Sequence, residues 1–174
     1  MHTTVTHHRS RNLRRAALAG GGTALALVLA TASPSAASSL CQQVRGSYTE
    51  HAVSGNCQSP VGLCIIGTYT GQIRGEFRGQ ATTISTTADT PTTGVATFTS
   101  DSTITATIGQ QSGTLIIKNA GAFAASNGGP IVDLQTIVGG TGDLAGASGA
   151  LRATGTFQAS SGGHSDYEGT VCIP

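Results

Sequence analysis

Residues 67–79 read GTYTGQIRGEFRG, and every second position in this stretch is either a glycine or a large apolar residue. The large residues are Tyr69, Ile73 and Phe77, and polar side chains stand between them. A period of two is typical of a β-strand with one buried and one solvated face. Because glycine weakens a flat strand, its recurrence on the inner face indicates strong curvature, as in a narrow barrel.

The rest of the chain also reads as strands, separated by turns rich in glycine, asparagine and proline. No segment keeps a helical period beyond one turn near Leu144. The sequence therefore predicts an all-β fold, either a sandwich or a barrel, and the glycine alternation of residues 67–79 favours a small antiparallel up-and-down β-barrel stapled by disulfides. We expect the barrel domain to cover residues 64–174, after an irregular N-terminal arm over residues 38–63.

Residues 1–37 have the order of a secretory signal peptide: a basic start, the uncharged run Ala16–Ala30, a proline and then small residues. Cleavage after Ala37 is favoured because it lies beyond the proline, although an earlier site at Ala32 also fits. The pair Arg14-Arg15 leaves twin-arginine export open beside the general secretory route. We expect a secreted, extracellular protein without a membrane span, since the apolar run is short and no second one follows.

Removal of this leader changes the charge of the chain. Four of the nine Lys and Arg residues lie in the leader, whereas all eight Asp and Glu residues follow it. The mature chain would carry five basic and eight acidic side chains, a net charge of −3. Nucleic-acid binding needs clustered Lys and Arg to neutralise phosphates, and no such cluster is present. The sequence therefore predicts no nucleic-acid partner, and it indicates no cofactor.

Four cysteines lie in the mature part, and an even number behind a signal peptide indicates disulfides. Of the three possible pairings, we predict Cys41–Cys57 with Cys64–Cys172. Cys64 opens the first long predicted strand and Cys172 closes the last, and those two strands are neighbours in a closed sheet. No metal site is predicted, since no CxxC motif is present and no histidine is spaced as a ligand to a cysteine.

Residues 140–145 read GTGDLA, which matches a dinucleotide-binding fingerprint as a string. A phosphate site there needs a helix whose N-terminus faces the pyrophosphate. Gly146 and Gly149 would interrupt any such helix, and a strand follows at once. We therefore interpret this stretch as a tight connection between strands, in which Asp143 turns the backbone.

The same stretch carries a resemblance to a known superfamily. A strand, Gly-Gly-Thr-Gly at residues 139–142, a small hydrophobic step, Gly-Ala-Ser-Gly at residues 146–149 and a further strand resemble a connection in the allene oxide cyclase and dirigent barrels. Residues 67–79 and Tyr167-Glu168-Gly169 support the match, which extends over Cys64–Cys172 as a pattern. The resemblance implies an eight-stranded antiparallel barrel and an activity of the cyclase or dirigent type.

Two polar side chains are candidates for a site inside such a barrel, namely Asp133 and Arg152. Asp133 is a possible acid in the lumen. Its neighbour on the same face is Gln135, whereas Val132 and Leu134 share the opposite face. This alternation favours a solvated position for Asp133, since a buried carboxylate would need a partner.

Three hypotheses for function remain. The first is a small hydrophobic ligand bound in the lumen or at its mouth, and the second is a cyclase or dirigent-type isomerase. The third is a packed structural or surface-interaction protein. A lumen well above about 300 Å³ favours the first two, and a convergent polar cluster favours the second. The candidate lumen residues are Tyr69, Ile73, Phe77, Phe98, Leu151, Phe157 and Tyr167.

Overall fold

The structure is a computed structural model that describes residues 39–86, 94–124 and 129–174. The predicted signal peptide and its cleavage site lie outside these residues. Eight strands form a closed barrel in which every strand pairs antiparallel with the next and the last pairs with the first. This confirms the predicted all-β antiparallel barrel. The strands are β1 Leu40–Val53, β2 Cys64–Gly71, β3 Ile73–Thr86, β4 Val95–Ile108, β5 Gln111–Ala124, β6 Pro130–Gly142, β7 Ser148–Gln158 and β8 Gly162–Ile173.

Residues 67–79 form a hairpin rather than one strand. The chain turns at Gly71, whose positive φ of 99° is a conformation that favours glycine, and β3 begins at Ile73. Across the hairpin Phe77 lies opposite Gly67, where an added Cβ would collide with the phenylalanine ring. The alternation of glycine with large residues therefore places the Phe77 ring over Gly67 and pairs Tyr69 with Gly75 across the hairpin.

The prediction of an irregular N-terminal arm is wrong for the first half of that segment, because Leu40–Val53 is a full strand of the barrel. Strand β1 pairs with β2 on one side and with β8 on the other, so it closes the barrel. Its buried positions include Val44, Tyr48 and Glu50. A glycine and a glutamate on the inner face hide the apolar period, and the sequence of this strand therefore reads as irregular.

The predicted disulfide pairing is also wrong: the bonds join Cys41 to Cys172 and Cys57 to Cys64. The prediction failed because β1 stands between β2 and β8, which places Cys41 directly opposite Cys172 in the ladder. The first bond links residues 131 apart in sequence, and the second links residues 7 apart. Chain entropy alone gives the long link about 5 kcal/mol and the short link about 2.5 kcal/mol of stabilisation.

One end of the barrel is closed by packed apolar side chains. The connection between β6 and β7 turns inward there, and its Leu144 is fully buried. Asp143 Oδ2 accepts a hydrogen bond from the backbone N–H of Ser112 in β5, so this side chain ties the connection to a neighbouring strand. The GTGDLA string therefore forms a tight connection. Other members of the core at this end are Val44, Ile73, Ile108, Leu115, Ile137, Val171 and Ile173.

Candidate functional site

The opposite end of the barrel, where β1 ends and β2 begins, contains a cavity that opens to solvent. All four phenylalanines of the chain and two of its three tyrosines line this cavity. The volume that the centres of water molecules can occupy is about 50 Å³, which is room for only a few waters. We call this the open-end cavity. Its lining residues include Tyr48, Glu50, Tyr69, Phe77, Gly79, Phe98, Ser102, Asn119, Phe123, Asp133, Gln135 and Phe157.

Aromatic rings form two groups on the walls of the cavity. Tyr48 and Tyr69 are stacked with ring centroids 4.7 Å apart, and Phe77 meets both edge-on. On the other side Phe123 contacts Phe98 and Phe157, at 6.0 and 5.7 Å between centroids. Such tilted and edge-on contacts fix the ring positions and add to the energy of apolar burial. The walls are thus apolar and held in place by ring-to-ring contacts.

Five of the polar side chains that line the cavity form what we call its polar floor: Glu50, Ser102, Asn119, Asp133 and Gln135. Two of them belong to β6, whose inward face is the opposite of the one that the sequence favours. Asp133 and Gln135 point inward and are buried, at 5% and 2% exposure. Val132, Leu134 and Val138 point to solvent, at 47%, 51% and 52% exposure. The prediction that Asp133 is solvated is therefore wrong. That prediction assumed that the more apolar face of β6 is the buried one, whereas Ile131 and Ile137 already make the face of Asp133 half apolar.

Hydrogen bonds link the polar side chains of the floor. Asn119 Nδ2 and Gln135 Nε2 both donate to Oδ2 of Asp133, at 2.8 and 3.0 Å. The Tyr69 hydroxyl donates to Gln135 Oε1 at 2.9 Å, and Ser102 Oγ donates to Asn119 Oδ1 at 2.8 Å. The network therefore fixes one carboxylate oxygen of Asp133 with two donors.

Other acceptors in the floor lack such donors. Oε1 of Glu50 and Oδ1 of Asp133 are buried without a hydrogen-bond partner among the described residues. The hydroxyl of Ser165, beside Tyr48, also lacks a well-aligned partner in this part of the chain. A buried polar group without a partner costs about 1–3 kcal/mol, so these oxygens are places where a water, an ion or a ligand group would be stabilised.

Burial shifts the ionisation of the floor. It raises the pKa of Glu50 to about 7, and the nearby carboxyl of Asp133 adds to this rise. Burial also raises the pKa of Asp133, although its hydrogen bonds from Asn119 and Gln135 oppose the shift. The pKa of Tyr48 and that of Tyr69 are raised for the same reason, so both hydroxyls stay protonated. Glu50 is thus poised to gain or lose a proton near neutral pH.

The seven predicted lumen residues divide between the two ends of the barrel. Tyr69, Phe77, Phe98 and Phe157 line the open-end cavity. The remaining three do not line it: Ile73, Leu151 and Tyr167 belong to the packed core.

Tyr167 has a structural role in that core. Its hydroxyl accepts a hydrogen bond from the N–H of Ile73 at 2.8 Å and lies within donor reach of the carbonyl oxygens of Thr70 and Ile73. These contacts fasten the turn between β2 and β3. Arg152 points to solvent, so its candidacy as a lumen residue is wrong. It follows Leu151 in β7, and alternation places neighbours on opposite faces.

Sequence reasoning missed Tyr48 and Glu50, which lie two residues apart on β1. It also missed Asn119 and Phe123 on β5. The signal for the first pair was present as alternation in Tyr48-Thr49-Glu50, since i and i+2 share a face of a strand. The assignment of that segment to an arm concealed it.

Residues 50–170 match the model of a family described as "Protein of unknown function (DUF3224)". The chain belongs to this family. No curated protein and no solved structure matches the chain. The DUF3224 match begins at Glu50 and includes Asp133, so nearly the whole lining of the open-end cavity lies within the family's segment.

Two further findings concern the described part of this DUF3224 chain. No group of three or more His, Cys, Asp or Glu side chains in it is placed to hold a metal ion. It contains no helix with the length and apolar character needed to cross a membrane.

Proposed function

We propose that this protein binds a small, largely hydrophobic molecule at the open end of its barrel, with the polar part of the ligand against the floor. One observation carries the proposal: six aromatic rings surround buried carboxyl oxygens, on Glu50 and Asp133, that lack hydrogen-bond partners in the described chain. Small barrels commonly hold one ligand in this way, with apolar walls and a few polar groups that orient it.

The size of the open-end cavity limits the ligand. Pockets that envelop a drug-sized molecule measure about 300–1,000 Å³, far above the 50 Å³ found here. We therefore propose that the ligand is narrow, that its polar end reaches Glu50 and Asp133, and that its apolar part lies at the mouth of the cavity. Phe98 is only partly buried there, which leaves apolar surface for such contact.

We also propose that the protein is secreted. Its two disulfides, Cys41–Cys172 and Cys57–Cys64, are typical of proteins that fold in oxidising compartments. The signal-peptide pattern of residues 1–37 supports the same conclusion. A ligand from the extracellular medium would meet the cavity there.

Native mass spectrometry of the secreted protein tests the binding proposal. Gly79 lines the cavity, and a Cβ at this position would meet only ordinary contacts, of which the nearest is 3.5 Å. We expect wild-type protein to carry a co-purified small molecule and Gly79→Val to lose it. Gly139→Val is the control, since the nearest contact of a Cβ there is Ile116 at 3.8 Å. Repeated absence of any bound molecule in wild-type protein would count against binding.

The second candidate is an isomerase of the cyclase or dirigent type, favoured by the polar side chains that converge in the cavity. Glu50, with a pKa of about 7, could exchange a proton with a bound substrate near neutral pH. The test is cyclisation of an allene oxide with the protein present. An enantiomeric excess that Glu50→Gln abolishes would support catalysis, and a product ratio equal to that without protein would exclude this reaction.

A further inference from the structure

The floor of the open-end cavity has a surplus of acceptors. Asn119 and Gln135 each donate one hydrogen bond to Oδ2 of Asp133, and no donor of the described chain reaches Oε1 of Glu50 or Oδ1 of Asp133. The oxygens left over, Oε1 of Glu50 and Oδ1 of Asp133, can only accept when their carboxyls are ionised. A ligand that satisfies them must therefore bring donors of its own.

Within the described part of the chain, no cationic side chain lies in the cavity to compensate these carboxyls: the described lining residues include no Lys, Arg or His. Every Lys, Arg and His in the described ranges is exposed. The titratable side chains that interact electrostatically with Glu50 are Asp133, Tyr48 and Tyr69, and none of them is cationic. The protein thus builds a site for positive charge and leaves that charge to be supplied from outside.

The walls suit the same kind of group. The stacked rings of Tyr48 and Tyr69, with Phe77 edge-on to both, line the same cavity as the carboxyls of Glu50 and Asp133. Aromatic faces attract organic cations, and the attraction grows where water is excluded. An aromatic wall over a buried carboxyl pair combines both forms of cation recognition.

From these contacts we infer that the polar end of the ligand is a protonated amine, bound by Glu50 and Asp133 and flanked by Tyr48 and Tyr69. This inference rests on the proposed binding function and narrows the ligand to a small amphipathic amine with a slender apolar chain. The ammonium group supplies up to three N–H donors, which match the two unpartnered carboxyl oxygens and leave one for a neighbouring acceptor.

A series of three hexyl compounds separates head-group charge from chain binding. n-Hexylamine, 1-hexanol and hexanoate share the same apolar chain and differ in charge. At pH 8 the amine is protonated and, with the pKa of Glu50 at about 7, that carboxyl is largely ionised. We expect hexylamine to bind at least about tenfold more tightly than hexanol in a titration followed by NMR, because charge-assisted hydrogen bonds are about twice as strong as neutral ones. Hexanoate should bind most weakly.

Variants assign the preference to the floor. Glu50→Gln keeps the shape of the side chain and removes its charge, so it should reduce the advantage of the amine over the alcohol to less than about threefold. Glu76→Gln, on the exposed outer face of β3, is the matched control and should leave the advantage unchanged. Asp133→Asn provides a second variant if Glu50→Gln alters the fold. Lowering the pH from 8 to 6 should weaken amine binding to wild type, because the Glu50 carboxyl takes up a proton.

The possible results distinguish a failure of the amine inference from a failure of the proposed binding function. Equal or tighter binding of hexanol would overturn the amine inference and leave a hydrophobic binding site in place. An amine preference that survives both Glu50→Gln and Asp133→Asn would also overturn it, because the charge would then be recognised elsewhere. If none of the three compounds binds at about 10 mM, well above the Kd of a weak ligand, both the inference and the proposed function fail.

Discussion

The two ends of this barrel differ in how completely their side chains are buried and their buried polar groups are hydrogen-bonded. At the closed end, Leu144 and Val171 are fully buried, and the buried hydroxyl of Tyr167 has its hydrogen bonds. At the open end, Phe98 and Phe123 remain partly exposed, and Glu50 and Asp133 keep oxygens without a partner among the described residues. The same eight strands run between both ends, so the difference lies in their inward side chains and in the β6–β7 connection that carries Leu144. It indicates that one end stabilises the fold and the other end is available for binding.

The disulfides give the largest contrast between the ends. Replacing Cys41 and Cys172 together by serine should lower the free energy of unfolding by about 5 kcal/mol, because the unfolded chain loses a link between residues 131 apart. The same change at Cys57 and Cys64 should cost only about 2.5 kcal/mol, since the link spans 7 residues. Denaturant unfolding of both double variants measures this. Equal losses would show that chain entropy does not set the contribution of these bonds.

Truncation of buried side chains should also separate the ends. Leu144→Ala removes a fully buried side chain that closes the barrel, so we expect a loss of about 4 kcal/mol. Phe98→Ala at the mouth should cost only about 1–2 kcal/mol, because this ring is already partly exposed and the space merges with solvent. Urea unfolding of both variants provides the measurement. A greater loss for Phe98→Ala would contradict the assignment of stability to the closed end.

Stability should depend on pH through Glu50. Its pKa is about 7 in the fold against 4.5 when unperturbed, so the folded state holds the proton more tightly than the unfolded state does. The free energy of unfolding should therefore fall as pH rises from about 4.5 to 7, by about 3 kcal/mol in total. Glu50→Gln should remove most of this fall and be more stable than wild type at pH 8. The exposed-site variant Glu76→Gln should retain the wild-type slope, and a slope unchanged in Glu50→Gln would refute the assignment.

The smallest effect is expected for Tyr167→Phe. Loss of the hydroxyl leaves the N–H of Ile73 without this acceptor, which should cost about 1–2 kcal/mol of stability. Ligand affinity should stay within about twofold, since Tyr167 does not line the open-end cavity. Thermal unfolding and a hexylamine titration on the same sample test both halves. A large loss of affinity would mean that the ends are coupled.

Much of the fold was predictable from sequence because strands and turns leave local signals. The glycine pattern of residues 67–79 predicted a curved inner face, and the glycine-rich string at residues 140–145 predicted a tight connection. The hairpin at Gly71 was missed because alternation continues through the turn. The disulfide pairing failed for a non-local reason, since it depends on β1 lying between β2 and β8.

The site was less predictable than the fold. Four of its aromatic residues were identified, since large apolar residues on an inward face are expected to meet in a barrel. The polar floor was not, because apolar content does not decide the inward face of a strand such as β6, where both faces carry β-branched or leucine side chains. Glu50 shows the same limit: alternation places it on the face of Tyr48, but nothing in the sequence of this polar strand indicates that this face is the buried one.

The most direct test of the difference between the ends is a map of amide NMR shifts on addition of n-hexylamine at pH 8. We expect the largest shifts at Glu50, Phe77 and Asp133, and little change at Leu144 and Val171 at the closed end. In Gly79→Val this pattern should be lost. Shifts concentrated on the outer surface, or a pattern that persists in Gly79→Val, would contradict this expectation.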